Sequence, residues 1–267
     1  MIFFPIFAVA GAIGGTFIGL IGTGSSMFVL PTLIYLLPLL IAPRDLALHM
    51  AVGTCVPVMG VGAIVSAILY WRKRWFDAGM IKVMTPGYVI GTAVGAVVSH
   101  LLPGHVLQAY VAILLLIAAV DMLRPKAHQT EGKQTARNPW ILGMGFFAIA
   151  VVVSIAGIAS GLFAIPIMVR CGVPIKKAIG TSVIGANIYT LVGTIAYIAV
   201  GWHHPDLPSW SLGYIYLPAF LMMGIFCVAF TPLGVKLTHH ISPVILKRIF
   251  AVLLIFASVD LLVSVFI

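Results

Sequence analysis

Gly22-Thr23-Gly24-Ser25-Ser26 interrupts apolar sequence that resumes at once with Met27-Phe28-Val29-Leu30, and Gly157-Ile158-Ala159-Ser160-Gly161 does the same 135 residues later. Glycine loses the most backbone freedom in a helix, and serine competes for backbone hydrogen bonds, so such runs end helices. Non-helical backbone at membrane depth is tolerated only where protein shields it or where it lines a watery cavity. Each break therefore predicts a helix that stops within the bilayer and a second that turns back.

The rest of the chain fits a membrane setting. Of 267 residues, 62% are hydrophobic and 8% are charged, and the mean hydropathy is +1.18. A soluble domain carries roughly 25% charged residues, so the apolar residues here must face lipid. No length remains for a soluble catalytic domain. The net charge of +9 invites a nucleic-acid partner. The basic residues, however, sit in short clusters between apolar runs, which excludes a continuous basic face. Cys55, Cys171 and Cys227 are odd in number and scattered, unlike a disulfide framework or a metal site. Met1–Phe7 contains no Lys or Arg, so no cleavable signal peptide is expected.

Apolar stretches at 2–22, 26–42, 48–71, 79–102, 105–123, 140–157, 161–170, 176–201, 210–236 and 243–266 predict an all-α polytopic membrane protein. Depending on whether the broken pairs span or re-enter, that is about 8–10 membrane segments. Arg124–Pro139 is hydrophilic and divides the chain into a first membrane repeat (1–123), a linker (124–139) and a second membrane repeat (140–267). Ala51-Val-Gly-Thr-Cys-Val56 returns as Ala178-Ile-Gly-Thr-Ser-Val183, 127 residues on. Gly22, Phe28 and Pro31 match Gly157, Phe163 and Pro166, and a third block from Ala112 to Leu123 matches Ala251 to Leu262 at a spacing of 139. Counting each break as a reversal places 14 of the 15 Lys and Arg residues on one side, with Arg44 alone opposite. An eight-segment count divides them 8 to 7. The positive-inside rule favours the first. The halves are then inverted repeats of five segments, as recur in secondary transporters. Both termini lie outside, the linker is cytoplasmic, and the chain is multi-pass in the cell (inner) membrane.

The breaks gather what an anion site needs. A helix starting after Gly24 or Ser160 presents free N–H groups and a partial positive charge. Thr23, Gly24, Ser25, Ser26, Ser160 and Gly161 are thus candidate substrate-binding residues, joined by Gly53, Thr54, Cys55, Gly180, Thr181, Ser182 and Asn187. Small residues also suit helix packing; duplication in both halves favours binding. His49, just before Gly53-Thr54, is the candidate proton relay. No acid, Lys or Arg falls mid-span, and Asp121 and Asp260 lie near segment ends. His203-His204 and His239-His240 are adjacent, so their side chains diverge on a helix, and no metal is expected. Nothing has the spacing of a catalytic triad or a phosphate-binding loop. An enzyme is therefore the weaker alternative, and no cofactor or nucleic-acid partner is expected. The expected partners are the lipid bilayer and a small anionic substrate, with a homo-oligomer left open.

Gly19-Leu-Ile-Gly-Thr-Gly-Ser-Ser-Met-Phe-Val-Leu-Pro31, Ala51-Val-Gly-Thr54, Ser160-Gly-Leu-Phe-Ala-Ile-Pro166 and Gly172-Val-Pro-Ile-Lys-Lys-Ala-Ile-Gly-Thr-Ser182 resemble the TauE/SafE sulfite exporter family. The resemblance implies transport, as a probable exporter, of a sulfur-containing anion such as sulfite, thiosulfate or an organosulfonate like sulfoacetate. Here Gly24-Ser25-Ser26 stands where the family has a glycine run, and Cys55 stands in the first Gly-Thr-Ser element. A permease for another small anion is the neighbouring reading.

Overall fold

A computed structural model describes residues 3–21, 26–40, 44–123, 138–237 and 243–266. They form ten α-helices: α1 (Phe3–Ile21), α2 (Ser26–Leu36), α3 (Arg44–Arg72), α4 (Ala78–Leu101), α5 (Gly104–Leu123), α6 (Pro139–Ala156), α7 (Gly161–Arg170), α8 (Ile175–Gly201), α9 (Leu217–Leu237) and α10 (Pro243–Phe266). The protein is an all-α polytopic membrane protein. Among the described residues, six helices are long and apolar enough to cross a membrane by length and composition. α7, at ten residues, reaches roughly 15 Å, about half the hydrocarbon thickness.

The predicted segments coincide with these helices except at the second and the ninth. The second was expected over 26–42, but α2 ends at Leu36 and a 3-10 turn follows at Leu37–Leu39. The ninth was expected from residue 210, but Ser211–Leu212 (β1) and Ile215–Tyr216 (β2) pair as a two-stranded antiparallel hairpin before α9 begins. Its apolar residues face protein and not lipid: Tyr214 and Ile215 are buried. Gly213 takes a left-handed φ of +56° at the turn and packs on the α8 backbone at Ile198. Pro139 already belongs to α6, one residue inside the expected linker; residues 124–137 lie outside the described residues.

Helix pairing repeats when the halves are exchanged. α1 packs on α9 as α6 packs on α4, α3 packs on α9 as α8 packs on α4, and α3–α8 and α5–α10 are each their own counterpart. Gly87, Gly91 and Gly95, one per turn of α4, let the α6 backbone approach near Gly143, Phe147 and Val151 in turn, so α4 and α6 run parallel. Gly11 and Gly15 of α1 meet Met223 and Cys227 of α9 in the same sense. α3 and α8 run antiparallel, because Gly60 meets Thr190 while Ala63 meets Asn187. At the 127-residue spacing these two contacts are each other's image.

Candidate functional site

α6 ends because Gly157 adopts a left-handed conformation (φ +63°), its N–H bonding back to Ser154 O while Ile158 N–H bonds to Val153 O. Gly157 also packs closely against Val52, which would crowd a side chain there. Three residues later Ser160 starts α7 without a side-chain cap bond. The freed α6 terminus is tied down by its neighbours. Tyr197 Oη donates to Ser154 O at 2.6 Å, Tyr189 Oη to Val153 O at 3.3 Å, and Ser154 Oγ to Thr92 O at 3.0 Å.

The two breaks touch. Ser26 Oγ, buried at the first turn of α2, accepts the Ala159 N–H at 3.1 Å. Thr23, Gly24 and Ser25 lie outside the described residues. Beside this contact the Tyr88 hydroxyl of α4 adjoins Ser160, yet neither makes a well-formed hydrogen bond, and the buried hydroxyls of Thr92 and Ser182 also lack one. Thr92 lies one turn beyond Tyr88. Ser182 lies one turn before Gly185, whose α-carbon packs on Met84 and Tyr88. Buried polar groups in proteins are nearly always satisfied, so this group of hydroxyls stands out. Its donors are neutral. Gly161 and Cys55 are buried.

The Gly-Thr pairs contact loops of the opposite half. Gly53 packs under the Tyr214 carbonyl, and Thr54 Oγ1 accepts the Tyr216 N–H at 2.9 Å. Gly180 packs under the Trp75 carbonyl, and Thr181 Oγ1 accepts the Asp77 N–H at 2.8 Å. Each pair thus docks the loop that follows the equivalent helix of the other half. Asn187 Nδ2 donates to Val183 O at 2.9 Å and Ala63 O at 3.3 Å, fastening α8 to α3. His49 is buried, with Nδ1 2.8 Å from Asp45 O and Nε2 3.0 Å from Ser99 O. Asp260 accepts from the Tyr35 hydroxyl at 2.8 Å.

A profile of the sulfite exporter TauE/SafE family matches residues 7–261. The chain belongs to the TauE/SafE sulfite exporter family. It is 29% identical over 254 residues to a probable membrane transporter protein of Haemophilus influenzae, covering 94% of this chain and 95% of that one. It is 25% identical to a probable membrane transporter protein of Methanocaldococcus jannaschii, over 91% and 89% of the two chains. A third relative, the probable membrane transporter protein YunE of Bacillus subtilis, is 25% identical over 74% of this chain and 79% of its own. No solved structure matches the chain significantly.

In this TauE/SafE protein the sequence reading missed Tyr88, Thr92 and Tyr214. Tyr88 and Thr92 sit on the glycine-lined helix, where Gly87 and Gly91 immediately before each mark a close approach. Tyr214 is buried at the hairpin turn and bonds His100 Nδ1 through its hydroxyl at 2.7 Å. Burial pushes this phenol above its ordinary titration range, so it stays neutral.

Proposed function

We propose that this membrane transporter moves a small sulfur-containing anion, such as sulfite, thiosulfate or an organosulfonate, by alternating access around the place where the two breaks meet. The halves act as inverted repeats, with the linker in the cytoplasm and both termini outside. The observation that carries the site is the buried Tyr88–Ser160 hydroxyl pair without a sound protein partner, at the start of α7. A helix N-terminus contributes N–H donors and a partial positive charge. Hydroxyls from Thr92 and Ser182, and Ser26 of the other half, complete the lining. Hydrogen bonds to a charged group stabilise it by about 1.5–3 kcal/mol each, which offsets desolvation without the trapping that a fixed Lys or Arg would cause. An interior-negative potential favours anion exit by about 2.3 kcal/mol per charge per 100 mV, so the direction is export.

The test is efflux from proteoliposomes loaded with sulfite, thiosulfate, sulfoacetate, taurine, acetate or phosphate. Saturable efflux of the sulfur anions above the acetate and phosphate rates supports the reading. Equal rates for all six, or none above empty liposomes, overturn it.

A further inference from the structure

Three contacts at one end of the molecule recur at the other in the same register. Gly53 lies under the Tyr214 carbonyl, and Gly180 lies under the Trp75 carbonyl. Thr54 accepts the N–H two residues beyond Tyr214, and Thr181 accepts the N–H two residues beyond Trp75. The third contact is a basic residue on the aromatic ring. Lys176 Nζ is 5.6 Å from the Trp75 ring centroid, and the His49 ring is 5.5 Å from that of Tyr214. Positions 49 and 176 are 127 residues apart, the spacing that relates the Gly-Thr motifs, and 75 and 214 are 139 apart, the spacing of the last repeated block. Each loop also contains one non-glycine residue held at positive φ, Arg74 at +52° and Trp210 at +69°, and among the described residues there is no other. Such strained turns persist only when surrounding contacts hold them.

The two latches differ in their cations. Lys176, and Lys73 at 4.8 Å from the same Trp75 ring, are permanent cations; His49 is one only when it binds a proton. Both His49 nitrogens face backbone carbonyl oxygens, Asp45 O on one side and Ser99 O and Leu102 O on the other. A neutral imidazole has one N–H and leaves one of these contacts unmade, whereas the imidazolium donates to both sides. The titratable groups around it are Asp45 one turn earlier on α3, His100 on α4, Tyr197 on α8 beside Ser99, and His204 and Tyr214 from the α8–α9 connection.

We propose that His49 is a proton-binding site whose charged form latches the 211–216 hairpin, the titratable counterpart of the fixed Lys176–Trp75 latch at the other end. Proton binding then adds a latch at the hairpin end, while the latch at the opposite end does not change with pH. This deepens the transport reading and rests on it for its consequence. The latch itself is measurable without any substrate, so failure of one is distinguishable from failure of the other.

Hydrogen–deuterium exchange on the purified full-length protein, corrected for intrinsic rates, reads it directly. Hairpin amides at 214–216 gain about tenfold protection as pH falls from about 8 to about 5.5, while amides at 75–77 do not change. His49→Gln abolishes that gain, and His49→Lys gives low-pH protection at both pH values. Should the buried lysine prevent folding, Lys176→His in a Lys73→Gln background, which leaves position 176 as the cation on the Trp75 ring, decides: it makes the 75–77 turn lose protection as pH rises. Hairpin protection independent of pH in the parent, or an unaltered pH profile in His49→Gln, overturns the proposal.

Discussion

Ser26 Oγ accepts the backbone N–H of Ala159 at 3.1 Å, across 133 residues of sequence. One hydrogen bond thus joins the first turn of α2 to the break that precedes α7. Ser26→Ala leaves a half-buried N–H without its acceptor, at a cost of about 1–3 kcal/mol. The expected result is a fall of several degrees in Tm in detergent together with a loss of transport, measured at matched membrane abundance. An unchanged Tm would mean that the breaks do not depend on each other.

Thr54→Val and Thr181→Val each strand a loop N–H, that of Tyr216 or of Asp77. Each variant should lose about 1 kcal/mol or more of local stability, seen as faster amide exchange in its own loop only. Thr→Ser at either position restores the acceptor and should restore protection. If both valine variants loosen both loops, the docking contacts are not separate.

Gly91→Leu forces a side chain into the backbone of Phe147 and the Ala150 side chain, where even a methyl group is too close. Overpacking typically costs about 1–3 kcal/mol, and here backbone must move, so membrane abundance of folded protein should collapse. Gly145→Ala faces open space and should match the parent in size-exclusion profile and Tm.

The charge asymmetry predicts topology. A single cysteine introduced in the 124–137 linker should resist an impermeant thiol reagent in intact cells and react after permeabilisation. Labelling in intact cells would contradict a cytoplasmic linker.

Much of this architecture was legible. The Gly/Ser run at 157–161 marked the end of α6 and the start of α7, and the ten helices fall where the apolar stretches lie. The hairpin was hidden because Leu212, Tyr214 and Ile215 look like lipid-facing sequence, while Tyr214 and Ile215 are in fact buried against protein. Thr54 and Thr181 read as free hydroxyl donors because the loops that occupy them are 162 and 104 residues away in sequence. Tyr88 escaped notice for a related reason: only the pairing of α4 with α6 and α8 shows that its hydroxyl is enclosed beside Ser160.

The measurement that bears most directly on the central claim compares Ser160→Ala and Tyr88→Phe with the parent for sulfite efflux and thermal stability. These hydroxyls make no well-formed hydrogen bond within the protein, so removing either should leave Tm unchanged or slightly raised. In the proposed site each hydroxyl donates a hydrogen bond to the anion, so sulfite efflux at limiting concentration should fall about ten- to a hundredfold. Parent-like efflux in both variants, or a loss of efflux that only tracks a loss of stability, would contradict a substrate site at the junction of the two breaks.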